Sequence, residues 1–295
     1  MEFSSSDISV RRLARHGAKL LITLLLGGFL GTTLVRLAPG FGVDEEELDS
    51  RLGKDSIQAL RQSHASHDSL AGFYIHYLSR LAKGDLGTSR TLQQPVSRLL
   101  ADRLPETLKS VGLGLALGWT LGLALAVASV MSRSWCVDLL SSLLAGIFLC
   151  MPAAVLAILF VIGRAPGRLV LGLIVFPKIF RFARNLLTRS ASLPHVLTAK
   201  AKGLGSVRTL VWHILPVSAP QLLALAGVSV STAFAAAIPV EALCDLPGVG
   251  QLAWKAALGR DLELLVALTM VVTMLTLLAN SASDLLAHSQ RRGDA

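Results

Sequence analysis

The stretch "SVGLGLALGWTLGLALAVASVMS", residues 110–132, has 23 residues and no charged side chain. About 20 apolar residues in a helix are enough to cross the hydrocarbon core of a bilayer. Glycine recurs along the same stretch, at Gly112, Gly114, Gly118 and Gly122. Small residues spaced by four allow two membrane helices to approach closely. The stretch therefore predicts a membrane helix that packs tightly against another helix.

The composition of the whole chain agrees with a membrane protein. Of the 295 residues, 53% are hydrophobic and only 16% are charged, whereas a soluble domain carries about 25% charged residues. The formal net charge is +9. Because the basic residues cluster beside apolar runs, this charge fits an anionic lipid surface and not nucleic acid.

Several other segments are candidate spans. Residues 139–163 and 264–283 are uncharged and long enough, and residues 20–35 are shorter but flanked by basic residues that can reach the interface. The uncharged run 209–240 exceeds one span, and 220–239 is its predicted membrane part. A run that begins at Leu169 reaches Lys178 after nine residues, which is equally typical of an interfacial helix. We predict an all-α integral membrane fold with about six transmembrane helices.

The distribution of basic residues predicts the orientation. Residues 181–208 contain six Lys or Arg and no acid, and both ends of the chain are also basic. Lys and Arg are enriched in cytoplasmic loops, so six spans would place both termini in the cytoplasm. We expect a cytoplasmic N-terminus and first span (1–38), an extracytoplasmic segment (39–107) and a transmembrane core (108–295). The last would contain a cytoplasmic loop at 185–216.

That loop includes "TAKAKGLGSVRTLVWHILP", residues 198–216. Residues 193–202 are expected to form a short helix that ends at Gly203 in a positive-φ conformation. Ser206 is expected to cap a second helix, which Pro216 would stop before the next span. Val207, Leu210, Val211 and Ile214 would share one face of that helix. The pattern predicts a helix–turn–helix, although an amphipathic segment lying on the membrane has the same composition.

Other site types have weaker signals. His64 and His67 lack a third ligand at metal-site spacing, so we interpret them as surface residues and expect no metal. The sequence contains no Gly-x4-Gly-Lys-[Ser/Thr] loop, which indicates that the chain does not itself bind ATP. We therefore expect no cofactor on this chain and no catalytic residues.

The spacing in the loop resembles a family signature. Ala199-x3-Gly203-x9-His213-x-Leu215-Pro216 is similar to the cytoplasmic loop of ABC importer permeases, where a coupling helix docks into a groove on the ATPase subunit. The resemblance implies a coupling role for Ala199, Lys200, Ala201, Lys202, Gly203, His213, Leu215 and Pro216. Leu197 and Thr198 stand where the signature has Glu-Ala.

Further motifs extend the resemblance over nearly the whole chain and point to the peptide/nickel branch. "KGDLGTS" resembles GDLG-x-S, "PVSRLLADRLPETL" resembles PV-x6-RLP-x-TL, and the region after residue 240 resembles E-x5-PGLG followed by RD, N and D. Asp138 resembles the acid that opens the third span. The other matching positions are Gly84, Asp85, Leu86, Gly87, Arg103, Leu104, Pro105, Arg181, Arg184, Glu241, Pro247, Gly248, Gly250, Arg260, Asp261, Asn280 and Asp284.

The resemblance implies a type I ABC importer permease fold in the cytoplasmic (inner) membrane. It implies a second homologous permease, two ABC ATPase subunits that carry ATP and Mg²⁺, an extracytoplasmic substrate-binding protein, and membrane lipid as partners. The function implied is ATP-driven import of peptides by alternating access. The alternatives are a permease for nickel or another small solute, and a divergent membrane scaffold. The scaffold is suggested by the short outer loop at 163–168; Glu263 is a second departure, where the family has proline.

Overall fold

The computed structural model describes residues 5–37, 70–132 and 134–293, and these residues are helices and connecting turns without a β-strand. The chain divides into two compact units. The first contains Met1–Asp102 and Lys255–Met274, and the second contains Arg103–Trp254 and Leu275–Ala295. His64, His67 and residues 39–69 of the predicted extracytoplasmic segment lie outside the described residues.

The helices follow one another along the chain with short connections. They are α1 (Ser5–Leu37), α2 (Leu70–Leu81), α3 (Val96–Ser132), α4 (Trp135–Cys150), α5 (Ala153–Ile162), α6 (Arg168–Ala191), α7 (Pro194–Ala201), α8 (Ser206–Thr209), α9 (Leu215–Leu243), α10 (Val249–Leu258) and α11 (Leu262–Gly293). A five-residue π-helical turn, Leu210–Ile214, joins α8 to α9.

By length and composition, three described helical segments can cross a membrane: Val96–Ser132, Ser206–Leu243 and Leu262–Leu286. The α4–α5 pair would be a fourth if it counts as one span. A total of about six membrane spans is reached only if the shorter apolar segment Leu20–Leu34 of α1 and helix α6 also cross the membrane. The expectation of an all-α membrane protein is confirmed.

The predicted span at 139–163 is not one straight helix. The segment forms two helices that bend by 96° where α4 meets α5. Met151 is extended, with φ −82° and ψ 124°, and Pro152 precedes the first residue of α5. Proline has no N–H for a helical hydrogen bond and disfavours helical geometry in the residue before it, which explains the break.

Helix α6, the doubtful span, is buried on one side in the centre of the second unit. Phe176, Ile179 and Phe180 are at most 2% exposed, whereas Lys178 and Arg181 lie on the exposed side. Its hydropathy is low because these basic residues are averaged with the buried face. The periodic burial makes α6 a packing centre despite its charge.

Glycines on α3 allow it to lie against α6. A Cβ atom at Gly114 would lie 2.5 Å from Cβ of Leu171, and one at Gly122 would lie 2.8 Å from Cγ2 of Ile179. Gly118 faces backbone and side-chain atoms of α6 at 3.3 Å. The close helix contact expected from the sequence is confirmed at these three positions, while Gly112 has no atom within 4 Å of an added Cβ.

In the first unit, aromatic side chains join α1 to α2. The hydroxyl of Tyr74 donates to the carbonyl oxygen of Leu25 at 2.7 Å, and the ring of Phe29 meets the Tyr74 ring edge-on at 5.6 Å between centroids. Burial is the main cause that raises the pKa of the neighbouring Tyr77 to about 12. The contact of Tyr74 with α1 thus combines a tyrosine hydrogen bond with apolar packing.

Candidate functional site

Residues 194–214, which we call the knuckle, form the predicted helix–turn–helix. Helix α7 ends at Ala201, Gly203 has φ +82°, and α8 begins at Ser206. Nothing lies within 4 Å of a Cβ added at Gly203, so the backbone conformation alone favours glycine there. The predicted turn and its positive φ are confirmed.

Two predicted details of the second knuckle helix are wrong. Gly205 occupies the N-cap position of α8, and no side-chain capping bond is made there, so Ser206 is not the cap. Pro216 does not stop the helix, because residues Ser206–Leu243 run on as one helical segment. Proline is tolerated in the first turn of a helix, where its missing N–H is not needed. The π-turn, closed by the Leu215 N–H donating to Leu210 O, immediately precedes it.

The knuckle presents one apolar set inward and another outward. Val196, Leu210 and Ile214 are buried, whereas Val207 and Val211 are exposed. Of the four positions predicted to share a face, only Leu210 and Ile214 are therefore turned toward the core. The outward set also contains Leu197 and Trp212, and Trp212 is 71% exposed. The structure consequently leaves large apolar side chains on the knuckle surface.

Polar residues of the knuckle are mostly at its surface. Lys200, Ala201 and Lys202 are exposed, while Ala199 is buried beneath them. His213 is half-buried, and its carbonyl oxygen lies 3.3 Å from Nε2 of His195, which links the end of the knuckle to its start. Among the described contacts, Nδ1 of His213 has no hydrogen-bond partner.

In the first unit, the "GDLGTS" motif pairs with Asp261. Ser89 Oγ donates to Asp261 Oδ2 at 2.5 Å, and the Thr91 N–H donates to the same oxygen at 3.1 Å. Asp261 Oδ1 accepts the Leu264 N–H at 3.2 Å, as an N-cap of α11 does. Asp261 is only 1% exposed, and both of its oxygens are used. The two sequence motifs therefore form one hydrogen-bonded site around Asp261, which we call the anchor.

The turn itself is held by charged residues. Asp85 Oδ1 accepts the Gly87 N–H, and Arg80 Nε donates to Asp85 Oδ2, both at 2.9 Å. The bond from Arg80, followed by the one from Gly87, lowers the pKa of Asp85. Glu263 accepts the Thr88 N–H at 3.2 Å and lies 3.5 Å from Arg80. Glu263 thus supports the turn at the position where the family resemblance expects proline; Gly84 has φ +81° and Leu86 is half-buried.

In the second unit, Glu241 pairs with the turn before α10. Its Oε2 accepts the Gly250 N–H at 2.7 Å and the Thr107 hydroxyl at 3.1 Å. Thr107 Oγ1 in turn accepts the Val249 N–H at 2.7 Å. Glu241 is 0% exposed, and its Oε1 has no hydrogen-bond partner in the described part of the chain. The carboxylate therefore caps α10 from a different helix.

The glycines of "PGVG" make this arrangement fit. A Cβ atom at Gly248 would lie 2.6 Å from Oε1 of Glu241, and one at Gly250 would lie 2.7 Å from the carbonyl oxygen of Ala237. Next to them, Arg103 Nη1 donates to Gln251 Oε1 at 3.3 Å. The "RLPETL" and "PGVG" motifs thus meet through Thr107 and Arg103, whereas Leu104, Pro105 and Pro247 are neighbouring chain positions.

A third pair joins the matching positions Asp138 and Arg184. Arg184 donates from Nε and Nη2 to the two oxygens of Asp138, each at 2.5 Å. Ser129 Oγ donates to Asp138 Oδ1. Arg181, the other arginine of the predicted pair, is exposed. Helices α3, α4 and α6 therefore meet at this fork.

The last matching positions lie on or beside α11. Asn280 Nδ2 donates to Ser231 Oγ of α9 at 3.2 Å, and its side chain lies where a Cβ at Gly227 would collide. Asp284 is exposed, and Arg260 has φ +52° in the turn before α11. Asn280 therefore supports close packing of two helices.

Sequence reasoning missed the partners of several motif residues. Ser129, Ser231 and Gln251 have no spacing that identifies them, because each meets its partner only through the fold. Thr107 and Ser89 were inside quoted motifs, but their acceptors lie 134 and 172 positions further along the chain. No group of three or more metal-ligand side chains occurs among the described residues.

The long apolar helices, the glycine-mediated helix contact and the paired polar motifs define a multi-pass helical membrane protein. The family model described as "Binding-protein-dependent transport system inner membrane component" matches residues 118–292, more than half of the chain, and the chain belongs to this family. It is thus a permease subunit of an ABC importer in the inner membrane. Such permeases work with ATPase and binding-protein partners. The family resemblance of the sequence is confirmed.

Curated relatives match most of the chain. The oligopeptide transport system permease protein OppB of Haemophilus influenzae is 27% identical over 274 residues, covering 86% of this chain and 89% of that protein. The dipeptide transport system permease protein DppB of Lactococcus lactis is 23% identical, covering 94% and 96%. OppB of Escherichia coli is 26% identical, covering 81% and 84%.

A solved structure shares the fold. The MetNI methionine ABC transporter in an inward-facing conformation aligns with a TM-score of 0.59 at 19% identity. The alignment covers 66% of this chain and 97% of the matched transporter chain. At this identity the match supports the fold alone, and it is consistent with the expected type I importer architecture.

Proposed function

We propose that this chain is the peptide-translocating permease of an ATP-driven importer and that its knuckle couples the ATPases to the membrane helices. The observation that carries the proposal is the knuckle itself. It is a turn with a glycine-dependent backbone, packed inward through Val196, Leu210 and Ile214 and bearing exposed apolar side chains outward. An exposed apolar cluster that includes tryptophan is typical of a protein-binding surface.

The outward set is suited to a groove on an ATPase subunit. Leu197, Val207, Val211 and Trp212 supply apolar contacts, and Lys200, Lys202 and Arg208 surround them with positive charge. Interfaces commonly combine an apolar centre with a polar rim. ATP and Mg²⁺ would then be held by the ATPases, and the knuckle would carry their motion to the helices.

Peptides are the proposed substrates because the curated relatives are named as oligopeptide and dipeptide permeases. The proposed complex contains a second homologous permease, two ATPases and an extracytoplasmic binding protein, embedded in membrane lipid. Transport would proceed by alternating access, in which nucleotide state shifts the equilibrium between outward- and inward-open forms. Both termini and the knuckle would face the cytoplasm, as the basic residues indicate.

The experiment compares two glycines of the same turn. Gly203 has φ +82°, whereas Gly205 has φ −61° and ψ 152°, and neither has a neighbouring atom within 4 Å of an added Cβ. Gly203→Val therefore introduces backbone strain of about 1–3 kcal/mol, while Gly205→Val does not. We expect Gly203→Val to reduce ATPase capture in a pull-down, and ATP-dependent uptake of labelled peptide in proteoliposomes, by about tenfold or more.

The control variant Gly205→Val should keep both activities, and both variants should insert into the membrane. Full capture and uptake by Gly203→Val would contradict the coupling role of the knuckle. Peptide uptake that needs an ion gradient and no ATPase would contradict the proposed function as a whole.

A further inference from the structure

The Asp138–Arg184 fork lies close to the knuckle but is separate from it. Arg184 is on α6, seven residues before Ala191, where that helix ends. Asp138 is in the first turn of α4, and Ser129 is near the end of α3. The fork therefore fixes the α3–α4 turn to the end of the helix that leads into the knuckle.

Apolar packing fixes the knuckle to the same helix. Val196, Leu210 and Ile214 of the knuckle belong to one buried cluster with Phe180, Ala183 and Leu187 of α6. In a helix, neighbouring residues point about 100° apart. Arg184 thus extends from the face of α6 beside the one that contacts the knuckle, so that α6 contacts both partners at one level.

Two open clefts lie between the knuckle and the α3–α4 turn, although Val130 and Met131 of α3 also pack against the buried cluster of the knuckle. A cavity of about 250 Å³ lies between Val130 and Met131 of α3 and Leu204 and Thr209 of the knuckle. A second, more open cavity of about 540 Å³ is lined by Trp135, Asp138 and Arg184 on one side and by Leu197 and Lys200 on the other. Packed side chains resist displacement, and α6 packs against both the knuckle and α4, whose Ala145 belongs to the same cluster. Displacement of the knuckle can therefore reach α4 through α6, both by this packing and by the fork.

We infer that Asp138 and Arg184 are a positioning pair that transmits displacement of the knuckle to α4. The inference rests on the proposed function, since it assigns the path by which ATPase motion enters the membrane helices. A bidentate fork fixes orientation as well as distance, because two parallel N–H···O bonds resist rotation. Ser129 adds a third bond and orients the carboxylate. The pair moves α4, and with it the bent connection to α5, whenever α6 moves.

The same geometry predicts little effect on stability. About a third of each side chain is exposed, 32% for Arg184 and 36% for Asp138. Ion pairs with this exposure contribute weakly to the free energy of unfolding because water screens them. Loss of a purely structural pair would therefore lower stability. Loss of a transmitting pair would instead lower uptake per ATP and leave stability almost unchanged.

The experiment uses the full complex in proteoliposomes with the ATPases, second permease and peptide-loaded binding protein. Asp138→Asn and Arg184→Gln should each lower peptide uptake per ATP hydrolysed by about tenfold, while ATPase activity stays within about twofold of wild type. The double variant should lose no more than either single variant, because both remove one interaction. Arg184→Lys, which keeps the charge but not the fork, should be intermediate. Arg189→Gln is the control, because it removes an exposed cation from the same helix and should couple normally.

The possible outcomes distinguish the positioning role of Asp138 and Arg184 from the proposed function of the chain. Normal uptake per ATP in both single variants overturns the inference and leaves the proposed function standing. Equal loss of uptake and ATPase activity, with a lower unfolding temperature, also overturns it, because it assigns the pair a structural role. If the wild-type complex shows no ATP-dependent peptide uptake, the proposed function fails and the inference fails with it.

Discussion

Asp261 in the first unit and Glu241 in the second are buried carboxylates that each cap the start of a helix. They differ in how many of their oxygens accept hydrogen bonds. Each accepts backbone N–H groups at the start of a helix, where the helix dipole favours negative charge. Asp261 caps the helix that directly follows it and uses both oxygens. Glu241 caps α10 from the far end of another helix and uses only Oε2.

The difference shows why the number of oxygens used matters more than burial. An amide side chain has one acceptor oxygen and one donor group, so it can replace a carboxylate only where one oxygen accepts bonds. Glu241 meets this condition and Asp261 does not. Glu241 also lies two residues before the end of its own helix, where negative charge is unfavourable.

Asp261→Asn is expected to have the largest effect. Whichever way the amide is turned, its NH₂ group faces at least one of the donors from Ser89, Thr91 or Leu264. We expect a loss of about 3 kcal/mol in the free energy of unfolding, because a charge-assisted bond is lost and a buried donor is left unpaired. Denaturant titration of the purified protein in detergent measures it. A change below about 1 kcal/mol would contradict the anchor.

Gly248→Ala should have an intermediate effect. The added methyl group would collide with the Glu241 carboxylate, and overpacking of this kind costs about 1–3 kcal/mol. The control Gly112→Ala places the same methyl group in open space inside a helix, where alanine is favoured over glycine by about 1 kcal/mol. The two unfolding midpoints should therefore move in opposite directions. A stabilised Gly248→Ala would show that the carboxylate does not occupy this space.

Glu241→Gln should have the smallest effect, a change of about 1 kcal/mol or less. The amide oxygen can accept the bonds from Gly250 and Thr107, and the NH₂ group replaces an Oε1 atom that already lacks a partner among the described residues, so no existing hydrogen bond is lost. The same denaturant titration tests it beside Asp261→Asn. A loss as large as that of Asp261→Asn would mean that Oε1 also accepts a hydrogen bond.

Local rules predicted the elements that depend on one segment. Gly203 takes its positive φ because the turn is set by neighbouring residues, and the glycines of α3 follow from spacing along one helix. The family, too, could be recognised from motif order. The bend at Pro152 could not be predicted from the uncharged run 139–163, because whether a helix kinks or breaks depends on what packs around it.

Long-range contacts explain what could not be predicted. The burial of α6 could not be predicted from its low hydropathy, since composition does not show which face of a helix a neighbour covers. The acceptors of Ser89 and Thr107 lie far along the chain, so the spacing that identifies each motif carries no information about its partner.

The glycine contact between α3 and α6 also has a consequence for synthesis of the chain. Gly122 packs against Ile179, which is translated roughly 60 residues later. At a ribosomal rate of about 5–20 residues per second, this delay is about 3–12 s. During that interval the glycine face of α3 has no α6 to contact. Helix α3 must therefore persist on its own in the membrane, and its 23 uncharged residues are what make a solitary helix stable there.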